Sequence, residues 1–158
     1  MHVTKAPNGH LQIDGARICY RNFAGRGGQY NDEGERNFSL IIPNQDLAEQ
    51  LIEDGWKVII KEPRDPDETP FMHMPVKVRF GANGIPAYLI SGRARITLNE
   101  DTIGRLDKIQ IENVDLDIRP FNWQKGNRSG RAAYLHAIRV YQKIDRFTAE
   151  YEAEEATF

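Results

Sequence analysis

The chain has 158 residues, 40% hydrophobic and 28% charged, with a net charge of −2 and one cysteine, Cys19. This length suits one domain with its own core, and a single cysteine excludes an internal disulfide framework. No segment has the apolar length of a signal peptide or a membrane span, so the expected location is cytosolic.

Residues 1–10 read as a loose arm. From Leu11 the pattern becomes strand-like, with Ile18 and Tyr20 on one face and Arg17, Cys19 and Arg21 on the other. The stretch AGRGGQYNDEGE (24–35) has four glycines and an Asn-Asp pair. That is turn chemistry, but too long for a tight hairpin. RNFSLIIP (36–43) returns as a strand ended by Pro43, so residues 11–42 form a β-hairpin with a long, flexible, polar tip.

NQDLAEQLIEDG (44–55) predicts a short helix, with Asp46 as the cap, Glu49 as its reciprocal partner and Gly55 as the left-handed terminator. WKVIIKE (56–62) is a strand and PRDPDETP (63–70) an exposed loop. FMHMPVKVRF (71–80) alternates as a strand whose first half Pro75 demotes to an edge or a bulge. AYLISGRARITL (87–98) continues with a break at Gly92, and residues 99–108 make one or two helical turns.

IQIENVDLDIRPFNW (109–123) alternates most clearly: Val114, Leu116 and Ile118 face in, Asp115 and Asp117 face out. A polar turn (124–130) leads to a last strand (131–144). Six or seven strands, two short helices and no βαβ rhythm predict an antiparallel sheet, rolled into a barrel or folded as a sandwich.

Catalytic signatures are missing from the sequence. The four histidines (His2, His10, His73, His136) are scattered, without metal-ligand spacing, so neither a metal nor a cofactor is expected. GRGG (25–28) lacks the Gly-Lys-Ser/Thr of a phosphate loop, and Cys19 has no base beside it.

Binding chemistry gathers in two hairpins. The first carries Arg21, Arg26, Tyr30 and Arg36, flanked by two Arg-Asn-Phe triplets. The second carries Arg119, Phe121, Trp123, Lys125, Arg128 and Arg131 as contacts, with Tyr134 interleaved and no acid between residues 118 and 144. Arginine and lysine neutralise the phosphates of a nucleic-acid strand, and aromatic rings stack on unpaired bases. Phe38 reads as core. Trp123 and Phe121 share the parity of Asp115, Asp117 and Arg119, so a regular strand points both rings away from the core, unless Pro120 bulges it.

The colinear series GERNF, DGW-x-V and NVDL-x-IRP-x-NW resembles the single-stranded DNA-binding proteins of bacteriophages, over roughly residues 11–144. The resemblance implies a mainly β, antiparallel OB-like barrel with long hairpins and one or two short helices. It implies a non-enzymatic protein that coats single-stranded DNA with little sequence preference during phage replication and recombination, in the host cytoplasm. The ten residues of the two hairpins are the expected contacts. An OB-like protein–protein adaptor or phage structural component is the alternative. Exposed barrel edges also leave room for a homodimer.

Residues 145–158 hold five acidic side chains and one basic, a local charge of −4, so residues 1–144 carry +2. The expected organisation is a binding domain (1–144) followed by a disordered acidic tail. Its end resembles the acidic, Phe-terminated tails of other single-stranded DNA-binding proteins. That implies docking of a polymerase, helicase or primase through Glu154, Glu155 and Phe158.

Overall fold

A computed structural model describes residues 1–145, 147 and 150. The strands are β1 His2–Lys5, β2 Leu11–Ala16, β3 Ile18–Asn22, β4 Arg36–Ile41, β5 Ile59–Lys61, β6 Phe71–Val78, β7 Ala87–Ser91, β8 Ala94–Thr97, β9 Ile111–Lys125 and β10 Arg128–Gln142. The α-helix α1 is Gln45–Glu53, and Ile103–Asp107 is a 3-10 turn.

The fold is mainly β, as expected, but its single sheet is mixed and not closed. The main path runs β1-β2-β9-β10-β6-β4-β3, with β5 beside β6 and the β7–β8 hairpin beside β10. Both β6 and β7 run parallel to β10, through Val76–Ala133 and Lys77–Tyr134, then Ala87–Ile138 to Ile90–Tyr141. The cause is the length of β10. The chain leaves its edge after β6, loops through residues 79–86, and returns along the same edge in the same direction. Alternation within each short strand carries no trace of this.

Buried apolar side chains follow one parity along β4, β6 and β9, while Ser39 and His73 are buried on the other parity of β4 and β6. On β6 the even residues Met72, Met74, Val76 and Val78 are buried, and on β9 Val114, Leu116 and Ile118 are. Phe23 and Phe38 stack in the core with centroids 5.1 Å apart, so neither is available to a ligand. Fully burying such a side chain contributes roughly 1.5–3 kcal/mol.

Several local expectations change. Residues 1–10 are not a loose arm, because β1 pairs with β2 from His2–Asp14 to Lys5–Leu11. The helix cap is Asn44, whose Oδ1 accepts the Leu47 N–H at 2.9 Å, two residues before Asp46, which lies inside the first turn. Gly55 is left-handed (φ 94°), as its position after the helix requires. The Gly92 break is a hairpin turn that reverses the chain between β7 and β8. The turn between β9 and β10 shrinks to Gly126-Asn127, because the ladder continues to Lys125–Arg128. Pro75 lies on an edge only locally. One side of β6 pairs β4 at 73–78, while the other pairs β5 at 71–73 and β10 at 76–77. The missing N–H of Pro75 falls in the gap between those two partners.

Candidate nucleic-acid interface

The outer face of β9 has two chemistries, divided at one position. The β9–β10 ladder is continuous from Ile118 to Lys125, and its irregularities lie at Leu135/Ala137 and Tyr141/Gln142, not at Pro120. The odd residues of β9 therefore share one face. Toward one end this face bears Asp115 and Asp117, and toward the other Arg119, Phe121, Trp123 and Lys125.

At the acidic end the carboxylates are engaged. Asp115 accepts from Arg139 at 2.8 Å and from the Gly15 N–H at 3.1 Å. His10 and His136, far apart in sequence, both meet Asp117. His10 Nδ1 lies 3.0 Å from its carboxylate, and the two imidazoles pack edge to face at 4.8 Å. Two of the four histidines are thus apart only in sequence, and the His10 hydrogen bond fastens the start of β2 to β9. Asp14 lines the same end together with Arg95 and Arg139, so this end lacks the excess of cations found at the other.

At the other end, cations surround aromatic rings. Tyr134, opposite Arg119 in the ladder, has the charged groups of Arg119, Arg79 and Lys77 at 5.2, 5.6 and 6.0 Å from its ring centroid. Phe121 packs edge to face on Tyr134 at 5.7 Å and is 49% exposed. Trp123, 37% exposed, lies flat over Gly130, its partner in the ladder. A Cβ at Gly130 would stand 2.8 Å from the indole Cζ2, so the glycine makes room for the ring. Lys125 and Arg128 flank the two-residue tip. Among the described residues no ion pair involves Lys77, Arg119, Lys125 or Arg128.

The row continues onto β6 and β4 through Lys77 and Asn37, which are partners. A groove there is bounded by the loop after β3 and lined by Tyr30, Asn31, Asn37, Ser39, Pro75 and Lys77, with Asp32 and Glu35 on its loop side. That loop has an organised core. The Asn31 carboxamide nitrogen lies 2.9–3.1 Å from the carbonyls of Arg26, Asp32 and Glu35, and its oxygen accepts from Asn37 at 2.8 Å. Asp107 accepts the Phe23 and Ala24 N–H groups at 2.8 and 3.0 Å, anchoring the loop's start to the 3-10 turn. Tyr30 projects from this frame, 93% exposed, and Arg26 is exposed beside it.

The ten expected contacts therefore divide. Arg119, Phe121, Trp123, Lys125 and Arg128 form one surface, and Arg26 and Tyr30 stand on the loop bordering its extension. Three arginines are committed to the fold. Arg21 Nη1 donates to the carbonyls of Leu106 and Ile109 at 2.7 and 2.8 Å. Arg36 packs over Phe80 and bonds Glu100. Arg131 lies on the opposite face, over the buried Trp56 ring at 5.3 Å, and donates to Asn122. The sequence reading named Tyr134 within the second hairpin but not as a contact, and it missed Lys77 and Arg79 as part of the surface. Their parity was readable, but the parallel pairing that sets β6 beside β10 was not. Burial pushes the Cys19 thiol up, away from the thiolate form that reacts.

An open β-sheet with exposed rings interleaved with cations along one face is the surface that a binder of a flexible, single-stranded polyanion needs. The family described as "Putative phage ssDNA-binding domain" matches residues 1–156, and the chain belongs to that family. Among solved structures it is similar to the single-stranded DNA-binding protein of bacteriophage Enc34 in complex with single-stranded DNA, at 16% identity and a TM-score of 0.54, over 92% of this chain and 93% of that one. The same phage protein in a second structure gives 14% identity and a TM-score of 0.51, over 93% of both chains. No curated protein sequence matches it significantly.

Proposed function

We propose that the protein binds single-stranded DNA with little sequence preference, coating it during phage replication and recombination in the host cytoplasm. The observation that carries this reading is Tyr134, ringed by Arg119, Arg79 and Lys77 and continued by Phe121 and Trp123 on one exposed face. The rings offer stacking to any base, and the cations contact phosphates. The Enc34 relative, whose complex contains single-stranded DNA, supports the same reading. Arg26, Tyr30, Lys125 and Arg128 supply further contacts where the strand enters and leaves. No helix among the described residues is long and apolar enough to cross a membrane.

The proposal includes the tail. Glu154, Glu155 and Phe158 lie outside the described residues, and their role rests on charge and on the resemblance of the terminus. The acidic run competes for the cationic face, and Phe158 with its carboxylate docks a replication partner. A homodimer through open sheet edges such as β1 and β8 belongs to the same proposal, and light scattering reads it directly.

Competition binding tests the function. A labelled oligothymidylate should be displaced by unlabelled single strands of other composition and poorly by blunt duplex. Equal displacement by duplex refutes the proposal, and no DNA affinity at low salt leaves the adaptor reading in its place.

A further inference from the structure

At the far end of β6 from Lys77 the same outer face carries a second group of rings. Phe71, His73, Pro75 and Lys77 share a parity, and the distance from Lys77 to Phe71 is about 20 Å at roughly 3.3 Å per residue. Tyr20, from β3, packs edge to face on Phe71 at 6.3 Å and on His73 at 5.3 Å. Lys61, the ladder partner of Phe71, donates from Nζ to the Tyr20 hydroxyl at 2.9 Å and lies 4.9 Å from its ring centroid. Contacts link this group to the groove beside Lys77. Ser39 lines that groove and bonds His73 Nδ1 at 2.9 Å, and Tyr20 covers His73.

Three features of the group cost stability. Tyr20 is the one non-glycine residue with positive φ (51°) among the described residues, a conformation that strains a bulky side chain. Its ring is nevertheless 56% exposed, and Phe71 is exposed with it. Beneath them His73 is buried, and its Nε2 has no hydrogen-bond partner. An apolar side chain under a glycine or asparagine turn would be more stable on all three counts.

Resting on the single-strand reading above, we infer that Tyr20 and Phe71 form a second base-stacking platform, with Lys61 as its phosphate contact. The strand runs from the Trp123–Tyr134 surface past Lys77 and Pro75 to reach it. The platform engages only a strand long enough to span both ends, and so sets the size of the binding site.

The test compares two oligothymidylates, about 5 and about 20 nucleotides long, bracketing the span of single-strand sites. Tyr20→Asn, whose side chain accepts the left-handed conformation, should raise the thermal midpoint or leave it unchanged. It should also weaken the long oligonucleotide roughly tenfold while leaving the short one within about twofold. Phe71→Ser should show the same length dependence, Lys61→Gln a smaller one, and Tyr20→Phe none. Wild-type affinity of Tyr20→Asn and Phe71→Ser for the long oligonucleotide overturns the platform, even where Trp123→Ala is impaired and the single-strand reading survives. Equal losses on both lengths also overturn it. If the wild-type protein binds neither, both readings fall.

Discussion

Gly130 offers a way to move Trp123 without removing it. A Cβ there would stand 2.8, 2.9 and 3.0 Å from the indole Cζ2, Cε2 and Nε1, distances that force the ring to shift. Gly130 has no positive φ, so alanine meets no backbone strain, and the ring is an exposed side chain free to yield. Gly130→Ala should therefore change stability by no more than about 0.5 kcal/mol, as surface substitutions do. The binding cost has an upper bound in Trp123→Ala, which removes a stacking ring worth roughly 1–3 kcal/mol, or about 5- to 150-fold in Kd. Displacing the indole should cost part of that. Anisotropy of a labelled oligothymidylate at fixed low salt reads the affinity, and guanidinium unfolding reads the stability. Gln124→Ala, on the opposite parity, should stay within about twofold of wild type. Tryptophan emission should be quenched by DNA in the wild type and much less in Trp123→Ala, because Trp56 is buried. Unchanged affinity and quenching in Trp123→Ala would refute the stacking argument, and a large loss in Gln124→Ala would refute the assignment of faces.

Further outcomes follow, those for the tail from its charge and the resemblance of the terminus and the others from the same geometry. Arg119→Ala, Lys125→Ala and Arg128→Ala should each lower the slope of log affinity against log salt by about 0.7. Arg21→Ala should leave that slope alone and cost stability, because its guanidinium bonds the Leu106 and Ile109 carbonyls. Asp107→Ala strands the Phe23 and Ala24 N–H groups and should destabilise by about 2–3 kcal/mol in chemical unfolding, while Asn44→Ala, the true cap, should cost about 1 kcal/mol. His73 is held below its ordinary value of 6.5 by burial and then by Lys61, so the native state resists its protonation. Its contribution to stability is complete above pH 6.5 and is lost as pH falls toward the folded value, and His73→Asn should flatten that part of the stability–pH profile. Removing residues 145–158 should tighten DNA binding at low salt and less so at high salt, and deleting Phe158 alone should abolish association with a replication partner in co-purification.

Much of the binding hairpin was legible in the sequence because one strand carried both signals. The alternation of Val114, Leu116 and Ile118 fixed the parity of β9, and that parity aimed Phe121 and Trp123 outward. The sheet's mixed pairing was not legible, since Val76 and Ala87 alternate alike whether their partner runs parallel or antiparallel. For that reason Lys77 and Arg79 went unrecognised as neighbours of Arg119. Charge alone also misdirects. Arg21, Arg36 and Arg131 look like Arg119 in composition, but the first two are taken up by carbonyls and Glu100, and the third by Trp56 and Asn122. A loop rich in glycine and asparagine reads as flexible, and nothing in its spelling announces that Asn31 gathers three carbonyls.

The central claim is that single-stranded DNA lies on the outer face between the β9–β10 hairpin and β6. Amide chemical-shift mapping during titration with an oligothymidylate tests it most directly. The largest changes should fall on residues 119–134, Lys77 and Arg79, and the face around Asp14, Asp115, Arg95 and Tyr141 should stay quiet. Changes centred on that second face, with the hairpin silent at saturation, would contradict it.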